Sequence, residues 1–120
     1  MSMMNFNDIK FGPHLNGRGV QGVLKVNGFT LSVVAGSGMY STPREDLDSV
    51  DDFSSFEIGV FDSNGNWATK TFFPDNGDDV KGWVSRDEIT ELIGKLQNHI
   101  PNNTIAGVDF TDSLNQLENL

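Results

Sequence analysis

Residues 23–34 read VLKVNGFTLSVV, and this stretch decides the fold class. Apolar residues occupy every second position on both sides of Asn27 and Gly28, which is the pattern of strands with one buried face. An Asn-Gly pair supplies the positive φ angles that a two-residue type I′ turn requires. The stretch therefore predicts a β-hairpin.

The strongest helix signal begins after residue 84. Ser85 and Glu88 have the spacing of a capping box, and Pro101 marks an end. Between them runs an apolar stripe at helical spacing, made of Ile89, Leu92, Ile93, Leu96 and Ile100. One apolar stripe needs a sheet to cover, so the sequence predicts an amphipathic helix over 85–100 packed on the hairpins.

Two further segments complete the predicted sheet. Residues 56–61 alternate between apolar and other residues, a turn cluster follows at 62–66, and residues 67–73 are interpreted as the returning strand. Residues 80–84 are either a short fifth strand or the lead-in to the helix. We therefore predict an α+β fold with an antiparallel sheet of about four to five strands, built from two hairpins.

The predicted organisation has three parts. Residues 20–100 form the α+β domain, and residues 1–19 form an N-terminal segment in which residues 6–11 either make a short edge strand or pack loosely. Residues 101–120 form a polar, Asn-rich tail that adds a short strand or a short helix.

Charge limits the classes of partner. The 120 residues include 17 acids and 8 bases, for a net charge of −9. Such a chain repels phosphate backbones and anionic lipids, so we expect no direct nucleic-acid or membrane binding. A basic protein surface is the expected partner, including the phosphate-binding groove of a nucleic-acid-binding protein. The alternative is that the acidity serves solubility alone.

Cysteine is absent, which excludes disulfides, thiol catalysis and cysteine zinc sites. Residues 1–10 lack a basic region followed by an apolar run, and no stretch approaches the roughly 18 apolar residues of a membrane span. These observations predict a cytoplasmic protein.

The candidate contact surface is the long segment 36–52 together with the acidic turn that follows residue 74. Long loops in compact domains are often functional, and tyrosine is enriched at interfaces. The predicted binding residues are Tyr40, Glu45, Asp46, Asp48, Asp51, Asp52, Asp75, Asp78 and Asp79.

Three features of the sequence resemble dinucleotide-binding, calcium-binding or histidine-based sites but lack the spacing that those sites require. GRGVQG at 17–22 has dinucleotide-binding glycines, but a strand follows it where a helix is required. The Asp-rich stretches at 62–65 and 75–79 lack the calcium-loop spacing and are interpreted as hairpin turns, with weak adventitious calcium binding as the alternative. His14 and His99 stand far apart in sequence. We predict no catalytic residue, cofactor or metal site, although a triad assembled in space stays open.

One series of segments carries a family resemblance. VNGF at 26–29 with SVV at 32–34, FEIGVFD at 56–62 and DDVKGWV at 78–84 appear in that order. This pattern, over about residues 23–97, resembles small phage-encoded proteins of mostly unknown function. The loop 36–52, residues 1–19 and the tail depart from it. The resemblance implies a phage origin and, by association, the class of anti-defence inhibitors.

Three functions are consistent with these patterns. The first is a non-enzymatic phage interaction protein that inhibits a host or defence protein through an acidic surface, in the manner of anti-CRISPR proteins or DNA mimics. The second is a small-molecule-binding protein or enzyme with a pocket between sheet and helix, walled by Tyr40, Trp67 and Trp83. The third is a homo-oligomeric structural or assembly protein, in which an exposed hairpin edge pairs between copies.

Overall fold

The structure is a computed structural model that describes residues 3–14 and 17–100. The predicted alternatives for the tail at 101–120 lie outside these residues. The sheet has five antiparallel strands in chain order, and these are β1 (Lys10–Pro13), β2 (Val20–Val26), β3 (Phe29–Ala35), β4 (Ser55–Phe61) and β5 (Val80–Ser85). The helices are α1 (Thr69–Phe72) and α2 (Arg86–Asn98), with 3-10 turns at Phe6–Asp8 and Val50–Asp52. The predicted α+β class is confirmed.

The predicted first hairpin is confirmed and forms the centre of the sheet. Asn27 and Gly28 have φ angles of 50° and 84°, as the turn requires. On the face toward α2, Leu31 of β3 lies between Leu24 of β2 and Val60 of β4. The alternation read from the sequence thus places one apolar set on a single face.

The helix cap is confirmed at atomic level. Ser85 Oγ accepts the Glu88 N–H at 3.2 Å, and Glu88 Oε1 accepts the Ser85 N–H at 2.9 Å. The second bond is the main reason that the pKa of Glu88 lies below its usual value. Four members of the predicted stripe are buried against the sheet, and these are Ile89, Leu92, Ile93 and Leu96. Ile100 is 83% exposed, because the helix ends at Asn98.

The predicted return strand at 67–73 is wrong. Trp67 makes one isolated bridge to Phe61, and α1 follows at once. Ala68 N–H donates to the Val60 carbonyl, and the Val60 N–H donates to the Thr69 hydroxyl. These two bonds pair the backbone N–H and C=O groups of Val60 without a neighbouring strand, and the chain continues into α1. The place of the return strand is taken by β5, which pairs with β4.

The N-terminal segment joins the same body. Lys10–Pro13 pair with β2 as an edge strand, and Phe6 is buried among the core residues. The Phe6 N–H donates to the Thr90 hydroxyl at 3.0 Å, and the Met4 N–H donates to Gln97 at 3.1 Å. Residues 4–13 are therefore held by both the sheet and α2.

We expect Asn27→Gly to lower the free energy of unfolding by about 1–2 kcal/mol in urea denaturation. Asn27 Nδ2 donates to the carbonyls of Leu96 at 3.0 Å and His99 at 3.2 Å, so the hairpin turn holds the end of α2. Glycine keeps the turn conformation and removes only these bonds. Asn64→Gly is the control, since the Asn64 side chain makes no hydrogen bond to another described element. Equal losses in the two variants would contradict this role of Asn27.

Candidate functional site

The sheet is covered by α2 on one face only. On the opposite face, Ser32 lies between Val23 and Gly59, and Val34 lies between Gln21 and Glu57. Val23 is an exposed apolar residue there. This uncovered face contains a shallow groove of about 280 Å³ beside the segment 36–41. The features of the candidate site lie on or next to this face.

The segment 36–46 follows a defined course. The buried Ser41 hydroxyl accepts the Gly36 N–H at 3.1 Å and lies 2.9 Å from the Pro43 carbonyl oxygen. Arg44 Nε donates to the Met39 carbonyl at 3.0 Å. Thr42 forms an antiparallel bridge with Ser55 at the start of β4. This segment is therefore fixed to the sheet and presents its side chains in a defined geometry.

Tyr40 and Trp83 form an exposed aromatic pair. Their ring centroids lie 5.1 Å apart, and the side chains are 44% and 56% exposed. The Trp83 N–H donates to the Tyr40 carbonyl at 2.8 Å. Arg44 stacks on the Tyr40 ring at 5.2 Å from its centroid. The sequence placed Tyr40 at the surface, and the structure adds Trp83 beside it.

A β-bulge holds this aromatic pair outward. Phe56 pairs with Val84 and Ile58 with Lys81, so that Gly82 and Trp83 both stand opposite Glu57. Trp83 has a φ of 51°, which is rare for a bulky residue and costs backbone strain. Strained residues and bulges cluster at functional surfaces, so this bulge makes the aromatic pair a candidate contact site.

The structure divides the predicted acidic residues by role. Asp46 accepts the Ser37 N–H at 2.9 Å and the Ser37 hydroxyl at 3.0 Å, and it pairs with Arg18 at 3.5 Å. Its carboxylate is therefore part of the loop structure. The remaining acids of this segment are exposed and make no side-chain hydrogen bond or ion pair with the described residues, and these are Glu45, Asp48, Asp51 and Asp52.

The predicted acids also split in space. The 3-10 turn Val50–Asp52 is bonded to the side chain of Arg86, which follows the last residue of β5. Asp75, Asp78 and Asp79 instead precede the first residue of β5. Six strand residues span about 20 Å, so the two acidic groups lie near opposite ends of β5. They do not form one continuous patch.

The sequence did not single out Glu57, and it indicated Trp67 only as a wall of the alternative pocket between sheet and helix. Glu57 lies half-buried on the uncovered face, where its carboxylate accepts the Tyr40 N–H at 3.0 Å. The Trp67 indole lies on Gly59, with 49% of the residue exposed. The sequence signal that could have indicated this site is Glu57 on the polar face of a strand, two residues before Gly59.

The metal-ligating and titratable side chains of the described residues have the following surroundings. No group of three or more metal-ligating side chains occurs within residues 3–14 and 17–100. His99 packs edge-on against the rings of Phe29 and Phe72, with centroids 5.4 Å apart. The pKa values of Asp46 and Glu88 lie below their ordinary values, and hydrogen bonds from Ser37 and Ser85 are the main causes.

Comparison with known proteins gives no relative. No protein-family model matches the chain, no curated protein matches its sequence, and no solved structure matches it. Within the described part of the chain, the helices are too short or too polar to cross a membrane.

We expect Gly82→Ala to separate the aromatic pair. A Cβ atom at Gly82 would lie 2.5 Å from Tyr40 Cβ, so Tyr40 or the bulge must move. The emission of Trp83, measured in a Trp67→Phe background, should shift toward that of a solvated indole. Gly38→Ala is the matched control, because a Cβ there meets no atom within 4 Å. An unchanged emission spectrum in Gly82→Ala would contradict the close approach.

We expect the Ser37–Asp46 contact to persist to unusually low pH. The Ser37 N–H and hydroxyl, followed by Arg18, hold the pKa of Asp46 below its ordinary value of 3.8. A lowered pKa means that the contact contributes above the unfolded value and is lost as pH falls through the folded value. An NMR titration of the Asp46 carboxyl and the Ser37 amide should give one shared midpoint below 3.8. A midpoint at or above 3.8 would show that the carboxylate is not held this way.

Proposed function

We propose that this protein is a non-enzymatic interaction protein that binds a basic surface of another protein. The contact is made by the aromatic pair Tyr40–Trp83 and the exposed acids of the segment 45–52. The observation that carries the proposal is the outward-facing aromatic pair on a strained bulge. Tyrosine and tryptophan are the residues that most often dominate binding energy at protein interfaces.

The charge pattern next to the pair supports a basic partner. Between Arg44 and Lys70 the chain has no lysine or arginine, and it carries seven acids, namely Glu45, Asp46, Asp48, Asp51, Asp52, Glu57 and Asp62. A negative field of this kind accelerates encounter with a positive surface and rejects negative ones. Aromatic rings then bind lysine and arginine side chains by cation–π contacts.

The class of partner follows from two considerations. The sequence resembles small phage-encoded proteins, which points to a host or defence protein as the target. A groove that normally holds phosphates is basic and accessible, so an acidic protein with aromatic anchors can occupy it. In this proposal the protein inhibits such a target by covering that groove, as anti-CRISPR proteins and DNA mimics do. The site of action is then the cytoplasm of the host cell.

The two other functions expected from the sequence find less support. The space between sheet and α2 is occupied by fully buried side chains, including Leu31, Val33 and Ile58. Both strands of the first hairpin are interior, and the edges of the sheet are β1 and β5. A pocket between the layers would therefore require this packing to open, and pairing between copies would have to use β1 or β5 instead of the first hairpin.

The test is affinity capture from bacterial lysate with the full chain immobilised. We expect that neutralising four exposed acids together, as Glu45→Gln, Asp48→Asn, Asp51→Asn and Asp52→Asn, weakens capture of the specific partner severalfold. Asp46 is left unchanged because it holds the loop. Capture by the unaltered protein should fall steeply between about 50 and about 200 mM salt.

The matched control neutralises four acids away from the aromatic pair, as Asp75→Asn, Asp78→Asn, Asp79→Asn and Glu91→Gln. Each variant carries four fewer negative charges, so the net charge changes from −9 to −5 in both. We expect the control to capture the partner as the unaltered protein does. Equal loss in both variants would mean that capture depends on total charge alone and would overturn the proposed surface.

A further inference from the structure

A second recognition element lies in the groove on the uncovered face of the sheet, beside the aromatic pair. Gly59 and Ser32 are paired across β4 and β3 at its floor. Glu57 and Trp67 rise from that floor, and Gln21 lies on the neighbouring strand. We infer that this groove binds the guanidinium group of an arginine side chain on the partner. The inference rests on the proposed function and names the chemistry that the partner must present.

Glu57 provides the negative charge. It is the one carboxylate among the described residues that line the groove, and these residues include His14 but no lysine or arginine. The Tyr40 N–H occupies one acceptor position of its carboxylate. A carboxylate has about four lone-pair positions, so the others are available to an incoming donor. The same hydrogen bond orients Glu57, which reduces the entropy lost on binding.

Trp67 provides the aromatic surface. A Cβ atom at Gly59 would lie 2.9 Å from the indole carbon Cζ3, so the indole approaches the sheet only because residue 59 has no side chain. The Phe61 ring packs against the indole, with the two ring centroids 4.4 Å apart and the ring planes 35° from parallel. About half of Trp67 stays exposed to an incoming group. The indole is thus placed in advance of binding.

The spacing of these two groups fits a guanidinium. Glu57 and Gly59 are two residues apart on one face of β4, which places their Cα atoms about 6–7 Å apart. A guanidinium in contact with the exposed part of the indole above Gly59 can therefore reach the Glu57 carboxylate with its N–H donors. Arginine offers five donors in a rigid plane and stacks on aromatic rings, whereas the lysine ammonium is a compact, strongly hydrated point charge.

The other polar groups of the groove agree with this choice. The Ser32 hydroxyl and the Gln21 amide oxygen can each accept a hydrogen bond beside Glu57. A ligand with several N–H donors satisfies more of these acceptors than one with a single donor. The position of the groove next to Tyr40 also makes it continuous with the aromatic pair, so one basic surface can contact both.

The experiment titrates the isotope-labelled full chain with N-acetyl-arginine methylamide and follows amide and indole signals by NMR. We expect saturable shifts at Ser32, Glu57, Gly59 and the Trp67 indole N–H, while the amide of Glu91 on the exposed side of α2 serves as an internal reference. N-acetyl-citrulline methylamide has the same shape without the charge and should cause much smaller shifts. N-acetyl-lysine methylamide should bind more weakly than the arginine compound.

Two variants test the roles of the side chains. Glu57→Gln keeps an oxygen for the Tyr40 N–H and removes the charge, and we expect affinity to fall about two- to fivefold. Trp67→Leu keeps an apolar cover on Gly59 and removes the aromatic face, with a fall of similar size. Glu91→Gln on the exposed side of α2 is the control and should leave affinity unchanged. The spectrum of each variant without ligand shows whether the fold is preserved.

The outcomes separate this inference from the proposed function. Equal shifts with the citrulline compound, shifts that leave Glu57 and Trp67 unaffected, or unchanged affinity in Glu57→Gln would each overturn the arginine site. Partner capture that still depends on residues 45–52 would then leave the proposed function intact. Conversely, a groove that binds the arginine compound in a chain whose partner capture ignores residues 45–52 would overturn the proposed function alone.

Discussion

The burial of the α2 stripe against one face of the sheet is the constraint on which the rest of the structure depends. That stripe, centred on Ile89, Ile93 and Leu96, needs a matching apolar face, and β2, β3 and β4 supply it. A single helix covers one face only, so the opposite face stays open. The groove lies on the open face, and the exposed aromatic pair lies next to it.

The second organising feature is the way the long segment 36–46 is fixed to β5. The bond from the Trp83 N–H to the Tyr40 carbonyl joins the loop to the bulge, and the bond from the Tyr40 N–H to Glu57 joins it to β4. Both backbone groups of Tyr40 are thereby paired with the sheet. The aromatic pair and the groove are consequently parts of one rigid surface, although their residues are far apart in the chain.

Short sequence motifs predicted the structural elements whose conformation is set by a few neighbouring residues. The turn at Asn27 and the cap at Ser85 each follow from a backbone requirement that few residues meet, and both occur as expected. The predicted return strand at 67–73 is wrong because β5 pairs with β4 in its place. The alternation of residues 67–73 did not indicate this competing pairing. The hydrogen bonds of Ala68 and Thr69 to Val60 occupy the backbone groups at the end of β4. Such bonds leave no periodic pattern in the sequence, so they could not be predicted from it.

The sequence by itself determined the α+β class, the central hairpin, the capped helix and the concentration of acids in one long loop. Each of these features depends on residues that are close together in the chain. Tertiary structure decided which acids hold the loop and which face solvent, and it separated Asp75, Asp78 and Asp79 from the segment 45–52. It also joined Tyr40 to Trp83 and Glu57 to Trp67. The physical reason is that strand register and a bulge set these distances, and register depends on the pairing of the whole sheet.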